Sequence, residues 1–584
     1  MNLKSDLSYR IGAGLILLLS FLYVLVRAST VFYVHDECVT KWSYMIDWNF
    51  IPYSGYLDAN NHLLNSLLGG AFFRIFEVDH ILIYRLPNIL AYLVFAFAAL
   101  SFRRFFNSRA SHLGLLIVLC FSSYLIEFFG VARGYGLSWA FLLLGIFAQM
   151  VYYRSASHKW LLLTATSLLL ASYANLALLI LSLFGFGLLL IKAIKKPLQL
   201  LLLLPFIGML VYLTDYAFVL QNSGKFYLGE MQGFLQTSLI PLLEKTFGTD
   251  HLVLLALILF SGIFLMLWLP FKQLQYRSWI PKAELIPHVY LVVSILSFFL
   301  LNYLLGVRFP ENRAAAHLIL LFSLCLIYTL DQMRLHKGAL VIASLFLLNF
   351  GVQANFTHFK EWEHEHFDKA LLDLIPLEEK GLPPTTGSRF WQIDNEMALV
   401  HDLPMRAMQD MGGQADSLQD YMIVLPEDNP GIIHTHELIY QDPISSLSLF
   451  KRKGDLIKHL DTAYSVALQM DSNAAFFNFY KDTTSGPLII QTEGKFESLD
   501  IYRDFMLIFS ASEIDRDEKI EYGGIGPVSS AKIQADSSLH INYSYLVEGR
   551  AQAYQLTYYL WKRDRRPIKG QFNVKVFKID IPPK

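Results

Sequence analysis

The stretch GAGLILLLSFLYVLVRASTVFYVHDECVTKW, residues 12–42, joins a long apolar run to two adjacent carboxylates. The apolar part is long enough to cross a bilayer as a helix, which takes about 20 residues. We expect it to be a retained first span rather than a cleaved signal, because it lacks a small-residue cleavage site. Asp36 and Glu37 would then lie at the mouth of the first membrane helix.

The composition divides the chain into a membrane part and a soluble part. Of its 584 residues, 17% are charged, whereas an ordinary soluble protein has about 25%. Nearly all long apolar runs lie before residue 355. We expect a transmembrane domain at 1–355, a mixed α/β segment at 356–460 and a β-sandwich-like domain at 461–584. The net charge of −1 gives no argument for nucleic-acid binding.

Apolar length predicts about eleven transmembrane helices in the first part, or twelve if a short piece also crosses. The expected ranges are 11–32, 81–102, 112–130, 134–153, 159–174, 176–194, 197–220, 250–270, 287–306, 314–331 and 338–354. The short apolar piece is 62–76, with only about fifteen residues. We favour a layout in which it does not cross, because every basic cluster then lies on one side of the membrane.

The basic residues also orient the chain. Lys4 and Arg10 favour a cytoplasmic N-terminus in a bacterial-type inner membrane. The face that is then extracytoplasmic, or periplasmic, receives 33–61, 131–135, 221–249, 307–313 and everything after 355. Three polar segments that are far apart in the sequence would therefore share one face.

These segments place carboxylates and arginines on the same side of the membrane. A carboxylate can take a proton from a hydroxyl or amine nucleophile. An arginine can hold a leaving phosphate with its forked donors. This combination suits the transfer of a sugar from a polyprenyl-phosphate carrier, and the arginines in question are Arg133, Arg308 and Arg313.

Four ordered segments carry a family resemblance that covers roughly residues 1–355. They are Asp36-Glu37 with YLDANNHLLNSLL (56–68), FFRIFEVDHILIYRLPNILAY (72–92), FFGVARGYGLSWAF (128–141) and RFPENRAAAHLILLF (308–322). Together they resemble the GT-C superfamily of integral-membrane glycosyltransferases. The resemblance is closest to the branch that contains the protein O-mannosyltransferases and the lipid A aminoarabinose transferase.

The resemblance implies a role for each matching residue. Asp36 would be the general base, with Glu37 beside it, and Asp58 a second acid that contacts acceptor, phosphate or metal. Arg133, with Tyr135, and Arg308 or Arg313 would hold the donor phosphate. The aminoarabinose transferases have a Lys-Pro step after the second acid, whereas this chain has Asn60, Asn61 and His62 there. The donor contact at this point must therefore differ, or Asn61 and His62 take it over, and we count all three as substrate-binding candidates.

Several of these residues have a plainer structural interpretation. Asn60 or Asn61 could cap the helix that follows. Tyr135 could belong to the aromatic belt at the membrane surface. Glu127, an acid within an apolar run, is a candidate for substrate binding, but it could also pair with Arg133. Arg308 and Arg313 could pair with Glu311.

The reaction that follows from the resemblance is a single inverting displacement at the anomeric carbon. The donor would be a polyprenyl-phosphate-linked sugar, and the acceptor a hydroxyl or amine of a lipid, glycan or protein. No cofactor is certain, and a divalent metal remains open. The segment EWEHEHFDK (361–369) could bind a metal or be an ordinary surface turn, since its histidines diverge on a helix.

Two other classes of function compete with the enzyme. A transporter or flippase of lipid-linked saccharides would place ionisable groups at mid-bilayer in broken helices, often with internal repeats. The charges here gather at one face instead. A non-catalytic scaffold would use the β domain to bind a carbohydrate or a protein partner, although that domain could equally be a structural cap.

Overall fold

The computed structural model describes most of the chain, in two compact units. The described residues are 3–55, 57–225, 233–251, 262–263, 267–268, 282–401, 408–410, 418–471, 474–497, 505–514, 519–525, 538–562 and 567–580. The first unit comprises Met1–Phe32 and Val39–Glu361, and the second comprises Tyr33–Cys38 and Trp362–Lys584.

The first unit is built from α-helices. Among the described residues, seven helices are long and apolar enough to cross a membrane: Asp6–Thr30, Ile81–Phe105, Gly134–Ser155, Leu176–Ala193, Pro197–Asn222, Ala283–Leu305 and His336–Gln353. Three shorter apolar helices are Leu63–Phe76, Arg109–Cys120 and His317–Gln332. Shorter or more polar α-helices of the described residues are Ser123–Glu127, His158–Ala174 and Ile240–Phe247, and His35–Thr40 runs from the second unit into the first. The expected polytopic helical part is thus confirmed. Most of the expected span at 250–270 lies outside the described residues.

One expected span, 112–130, is wrong as a continuous helix. The helix ends at Cys120, and a second short helix begins at Ser123, because Ser122 has an extended backbone with ψ of 108°. The hydroxyl of Ser123 donates to the carbonyl of Thr246 and to Oε1 of Gln353, at 3.3 and 3.1 Å. Polar partners on neighbouring helices make such a break tolerable at membrane depth, and hydropathy does not reveal them.

The short apolar piece forms the helix Leu63–Phe76. Its 14 residues extend about 21 Å at 1.5 Å per residue, less than the roughly 30 Å hydrocarbon core. The expected Asn cap is wrong: His62 occupies the N-cap position, and its side chain makes no capping hydrogen bond.

The second unit begins with a small α/β region. Five strands form it: β1 (Thr386–Ser388), β2 (Met408–Asp410), β3 (Tyr421–Val424), β4 (His436–Gln441) and β5 (Ser448–Arg452). Their order is β2-β1-β3-β5-β4. Strand β1 is parallel to both β2 and β3, and the helix Trp391–Val400 connects β1 to β2. Before β1, a short helix covers Ala370–Asp373. It follows a turn in which His366 and the N–H of Asp368 bond to Asp442.

A β-sandwich completes the second unit. Its strands are β6 (Ile457–Met470), β7 (Phe476–Thr484), β8 (Leu488–Glu497), β9 (Phe505–Glu513), β10 (Lys519–Ile525), β11 (Leu539–Val547), β12 (Tyr554–Lys562) and β13 (Ile568–Asp580). They form two four-stranded sheets, β10-β9-β12-β7 and β11-β8-β13-β6. Neighbouring strands are antiparallel throughout. Alternate apolar side chains of both sheets share one core, which confirms the expected β-rich C-terminal region.

Candidate functional site

Asp36 lies in the first turn of the short helix His35–Thr40, within the segment that belongs to the second unit. Its side chain is only 8% exposed. The indole Nε1 of Trp362 donates a hydrogen bond to Asp36 Oδ2 at 3.2 Å. A hydrogen bond from a buried indole fixes the position of a carboxylate without supplying a counter-charge. Asp36 is therefore an oriented, largely desolvated acid.

Two further buried carboxylates contact the same segment. Glu37 Oε2 accepts a hydrogen bond from the backbone N–H of Val34 at 3.3 Å. Glu365 Oε2 accepts from the backbone N–H of His35 at 2.7 Å. Free N–H groups at the start of a helix favour such acceptors. These bonds hold the turn that carries Asp36.

Arg133 is fully buried in the first unit, at the N-cap of the helix Gly134–Ser155. Its Nη1 donates to Thr40 Oγ1 at 2.6 Å. Its Nη2 donates to Oδ1 of Asn60. A buried guanidinium is costly to desolvate, and its position is therefore set by the groups that bond to it.

Asp58 is joined to Arg133 through Asn60. Asp58 Oδ1 accepts from the backbone N–H of Asn60 at 2.8 Å, and Oδ2 accepts from the hydroxyl of Tyr44 at 2.9 Å. Burial, and after it the charge of Asp58, raises the pKa of Tyr44. The hydroxyl therefore stays protonated and donates a hydrogen bond to Asp58. We call Thr40, Tyr44, Asp58, Asn60 and Arg133 the arginine cluster.

Asn61 and His62 lie beside the arginine cluster and are both buried. Asn61 Nδ2 donates to the carbonyl of Asn49 at 2.9 Å, and its Oδ1 accepts from Ser66 at 2.7 Å. His62 Nδ1 lies 2.9 Å from the carbonyl oxygen of Ala174. Its ring packs edge-on against Tyr135, with centroids 4.7 Å apart.

The glycine between Arg133 and Tyr135 is required by this packing. A Cβ on Gly134 would meet the carbonyl oxygen of Ala174 at 2.0 Å and His62 Cβ at 2.7 Å. No real Cβ tolerates such distances, and one contact is to backbone, which cannot rotate away. The RGYG motif therefore brings His62 and Tyr135 next to the arginine cluster.

Glu127 is in a different cluster. It is 1% exposed and forms an ion pair with Arg27 at 3.4 Å, rather than the pairing with Arg133 that the sequence suggested. The backbone N–H groups of Lys360 and Glu361 also donate to it, at 3.1 and 3.3 Å. Both oxygens of the carboxylate are thus engaged by Arg27 and by backbone N–H groups, which favours a structural role.

Arg313 joins a second ionic cluster, centred on Glu361. Arg313 Nη1 and Lys245 Nζ lie 3.4 and 3.1 Å from the carboxylate oxygens of Glu361. The hydroxyl of Tyr124 donates to the same carboxylate at 2.7 Å. Arg308, by contrast, is exposed. Of the three candidate arginines, Arg133 is the one that the structure brings together with Asp58 and Asn60.

Sequence reasoning missed several contributors. Thr40 and Tyr44 lie in the acidic loop but match no motif. Arg85, within the quoted YRLPN, is fully buried and donates to the carbonyls of Ala28, Val31 and Phe32 at 2.7–3.0 Å. It thereby satisfies carbonyl groups left free at the end of the first span. The family pattern was a signal for Arg85, whereas nothing in the sequence singled out Thr40 or Tyr44.

No group of three or more His, Cys, Asp or Glu side chains could hold a metal ion within the described part of the chain. In the segment EWEHEHFDK, His366 Nδ1 lies 2.8 Å from Asp442 Oδ2, and His364 lies 3.7 Å from the carboxylate of Glu365. Both histidines of this segment therefore lie against carboxylates of the second unit.

Comparisons with known proteins give distant structural similarities. No family model and no curated protein matches the sequence. Two crystal structures of ArnT from Cupriavidus metallidurans, apo and bound to undecaprenyl phosphate, match 75% of this chain and 97% of their own. Their identities are 12% and 10%, and their TM-scores 0.43 and 0.44. An Archaeoglobus fulgidus oligosaccharyltransferase with Zn and sulfate matches 94% of this chain and 97% of its own, at 9% identity and a TM-score of 0.37. At these low identities and TM-scores, the function has to be argued from the residues of this chain.

Proposed function

We propose that the protein is an integral-membrane glycosyltransferase that uses a polyprenyl-phosphate-linked sugar as donor. The observation that carries this proposal is the arginine cluster, in which a buried guanidinium is joined through Asn60 to a carboxylate. Forked donors of this kind bind phosphate oxygens in pairs. Helices long and apolar enough to span a bilayer make a lipid-borne phosphate a suitable ligand.

In this proposal Arg133 stabilises the phosphate as it leaves the sugar. Negative charge grows on the bridging oxygen while its bond to the anomeric carbon breaks. A fixed cation in a buried site stabilises that charge without having to reorganise. The hydroxyl of Thr40 accepts a hydrogen bond from Arg133, and the hydroxyl of Tyr44 donates one to Asp58, so both help to hold the site in place. Asp58 and Asn60 position Arg133 for this task.

Asp36 acts as the general base in the same proposal. The acceptor oxygen or nitrogen attacks the anomeric carbon, and its proton passes to the Asp36 carboxylate. The polyprenyl phosphate leaves from the opposite side of the carbon, so the configuration inverts in one step. Low exposure leaves the Asp36 carboxylate poorly hydrated, and the hydrogen bond from Trp362 orients it, as the role of a positioned base requires.

The test is a transfer assay with purified protein in lipid nanodiscs. A panel of radiolabelled polyprenyl-phosphate sugars is offered together with a membrane extract as the source of acceptor. We expect one donor to be consumed and its label to appear in the extract, with inverted configuration. A donor that is bound but never consumed, with or without divalent metals, would contradict the proposal. Movement of that intact donor across sealed proteoliposomes would instead establish the transporter.

A further inference from the structure

One outer face of the β-sandwich carries an ordered array of polar side chains. Successive side chains point to opposite faces of a strand. On each strand, one alternate set of side chains packs in the core of the sandwich. The strand register places the other set in three rows across the sheet β11-β8-β13-β6. The rows are His540–Lys495–Gln571–Ala467, Asn542–Glu493–Asn573–Ser465 and Ser544–Gln491–Lys575–Ala463. We call this surface the polar face.

A cavity of about 1250 Å³ lies over the polar face. Its floor includes the first two rows and Ser544. Its wall is formed by residues of the segment 376–384, including Pro376, Pro383 and Pro384. This volume is above the roughly 300–1,000 Å³ of most small-ligand sites. The cavity therefore has room for an extended ligand.

Two buried side chains at one end of this array have unused hydrogen-bonding capacity. Ser544 is 2% exposed, and its Oγ has no partner within the described residues. Gln491 is 3% exposed and donates to Asn542 Oδ1 at 3.1 Å, while its Oε1 has no partner in the same set. Buried polar atoms are nearly always bonded in folded proteins, and exceptions call for an explanation. Ser544 lines the cavity, so a ligand hydroxyl there could supply the bond that its Oγ lacks.

We propose that the polar face is a binding site for a neutral oligosaccharide. The side-chain amides of Asn542, Gln571 and Asn573 each carry hydrogen-bond donors and an acceptor. They suit sugar hydroxyl groups, which also both donate and accept hydrogen bonds. Lys495 stands opposite both His540 and Gln571 and next along β8 to Glu493, so the floor has no strong excess of one charge. A phosphorylated or acidic ligand would require such an excess.

The shape of the site also favours a sugar over a peptide. A peptide strand would add to the edge of a sheet, where backbone groups are free. The centre of the cavity floor is formed by β8 and β13, which are paired on both sides. Pro376, which is partly exposed in the wall, offers apolar surface to the C–H face of a sugar ring. Because the site is built wholly within the second unit, the proposal does not depend on the proposed transfer reaction.

The experiment measures binding to the full-length protein in nanodiscs, without any donor lipid. The neutral probes are maltohexaose, cellohexaose and mannohexaose, and the comparison probes are an acidic hexagalacturonate and a hexapeptide. Saturation-transfer NMR detects weak binding, and calorimetry gives the Kd. We expect a neutral probe to bind and Asn542→Ala and Asn573→Ala each to weaken it about three- to tenfold, as for the loss of one or two hydrogen bonds.

A matched control is Asn478→Ala, which changes an exposed asparagine of β7 in the other sheet and should leave the Kd unchanged. A second variant, Ala467→Arg, places a bulky side chain at an exposed position of the first row and should abolish binding without unfolding the protein. The proposal is overturned if no neutral probe binds at about 10 mM. Preferential binding of the acidic probe or the peptide, or equal weakening by Asn478→Ala, also overturns it.

Discussion

Arg133 and Asp58 bond to the same residue, Asn60, which accepts a hydrogen bond from the guanidinium with its side chain and donates its backbone N–H to the carboxylate. The cation and the acid therefore fix one another through a single turn of the chain. A change at either position should disturb the other, and this coupling separates the arginine cluster from a set of independent surface charges.

The first prediction concerns the guanidinium. Arg133→Lys keeps the charge but loses the fork, so we expect donor turnover to fall about 10²- to 10³-fold, the usual effect of removing a donor to a developing anion. Initial rates at varied donor concentration, in nanodiscs, give kcat and KM. Arg154→Lys is the control, because Arg154 is half exposed and pairs with Glu284. Equal losses in the two variants would remove Arg133 from the proposed site.

The second prediction concerns the hydroxyl that bonds to Asp58. Tyr44→Phe removes a hydrogen-bond donor to a carboxylate, an interaction of about 1.5–3 kcal/mol. We therefore expect Tyr44→Phe to turn over the donor more slowly than the wild type, and Asp58→Asn to turn it over more slowly still. Tyr53→Phe is the matched control, since Tyr53 also donates to a carboxylate, Asp215, at 2.6 Å, but is exposed. A double-mutant cycle on turnover checks the coupling. If Tyr44→Phe and Asp58→Asn act additively, the proposed network is incorrect.

The third prediction assigns Glu127 to stability rather than to substrate binding. Glu127→Gln leaves Arg27 buried without its counter-ion, which costs about 3–5 kcal/mol in comparable buried pairs. We expect a lower thermal unfolding temperature in nanodiscs, with the donor KM of the remaining folded protein unchanged. Glu284→Gln, in the partly exposed pair with Arg154, should have little effect on stability. A raised donor KM at full thermal stability would return Glu127 to the substrate site.

The fourth prediction is a pH dependence in the α/β region. Asp394, 1% exposed in the helix Trp391–Val400, has a pKa raised by burial to about 8, against the opposing effect of the Ser388 hydroxyl. Between its ordinary value of 3.8 and about 8, the folded state keeps a proton that the unfolded state releases. Stability therefore falls as the pH rises through this range.

The variant Asp394→Asn cannot release that proton and should lose the dependence. We expect it to unfold at a higher temperature than the wild type at pH 8, by at least about 2 °C, and to differ little near pH 4. Calorimetry at several pH values measures both. Asp428→Asn serves as the control, because Asp428 is 38% exposed. A wild type and variant with parallel pH profiles would show that Asp394 is already ionised in the fold.

The helices were largely predictable because a bilayer imposes both length and composition. The expected spans 134–153 and 197–220, for example, correspond to the helices Gly134–Ser155 and Pro197–Asn222. The break after Cys120 was not predictable, since Ser122 and Ser123 differ little from other serines in apolar runs. What permits the break is the partners on distant helices, which periodicity does not encode.

The candidate site was predictable in part. The sequence indicated Asp58, Asn60 and Arg133 separately, but the hydrogen bonds that join them depend on tertiary packing. Glu127 pairs with Arg27, which lies 100 residues before it in the sequence. Arg313 pairs with Glu361, which lies 48 residues after it. For Glu127, the local pattern therefore suggested a nearer partner, Arg133. Ion pairs between residues far apart in the sequence can be identified only once the fold is known.

The most direct test of the proposed mechanism compares Asp36→Asn with Asp47→Asn in a single-turnover transfer assay with the donor that the wild type consumes. Asp47 lies in the same loop but is exposed, so its variant controls for a lost loop charge. We predict that Asp36→Asn still binds the donor but transfers its sugar at least about 10²-fold more slowly, the lower end expected for losing a general base. Asp47→Asn should behave as the wild type. Transfer by Asp36→Asn at the wild-type rate would contradict the assignment of Asp36 as the base.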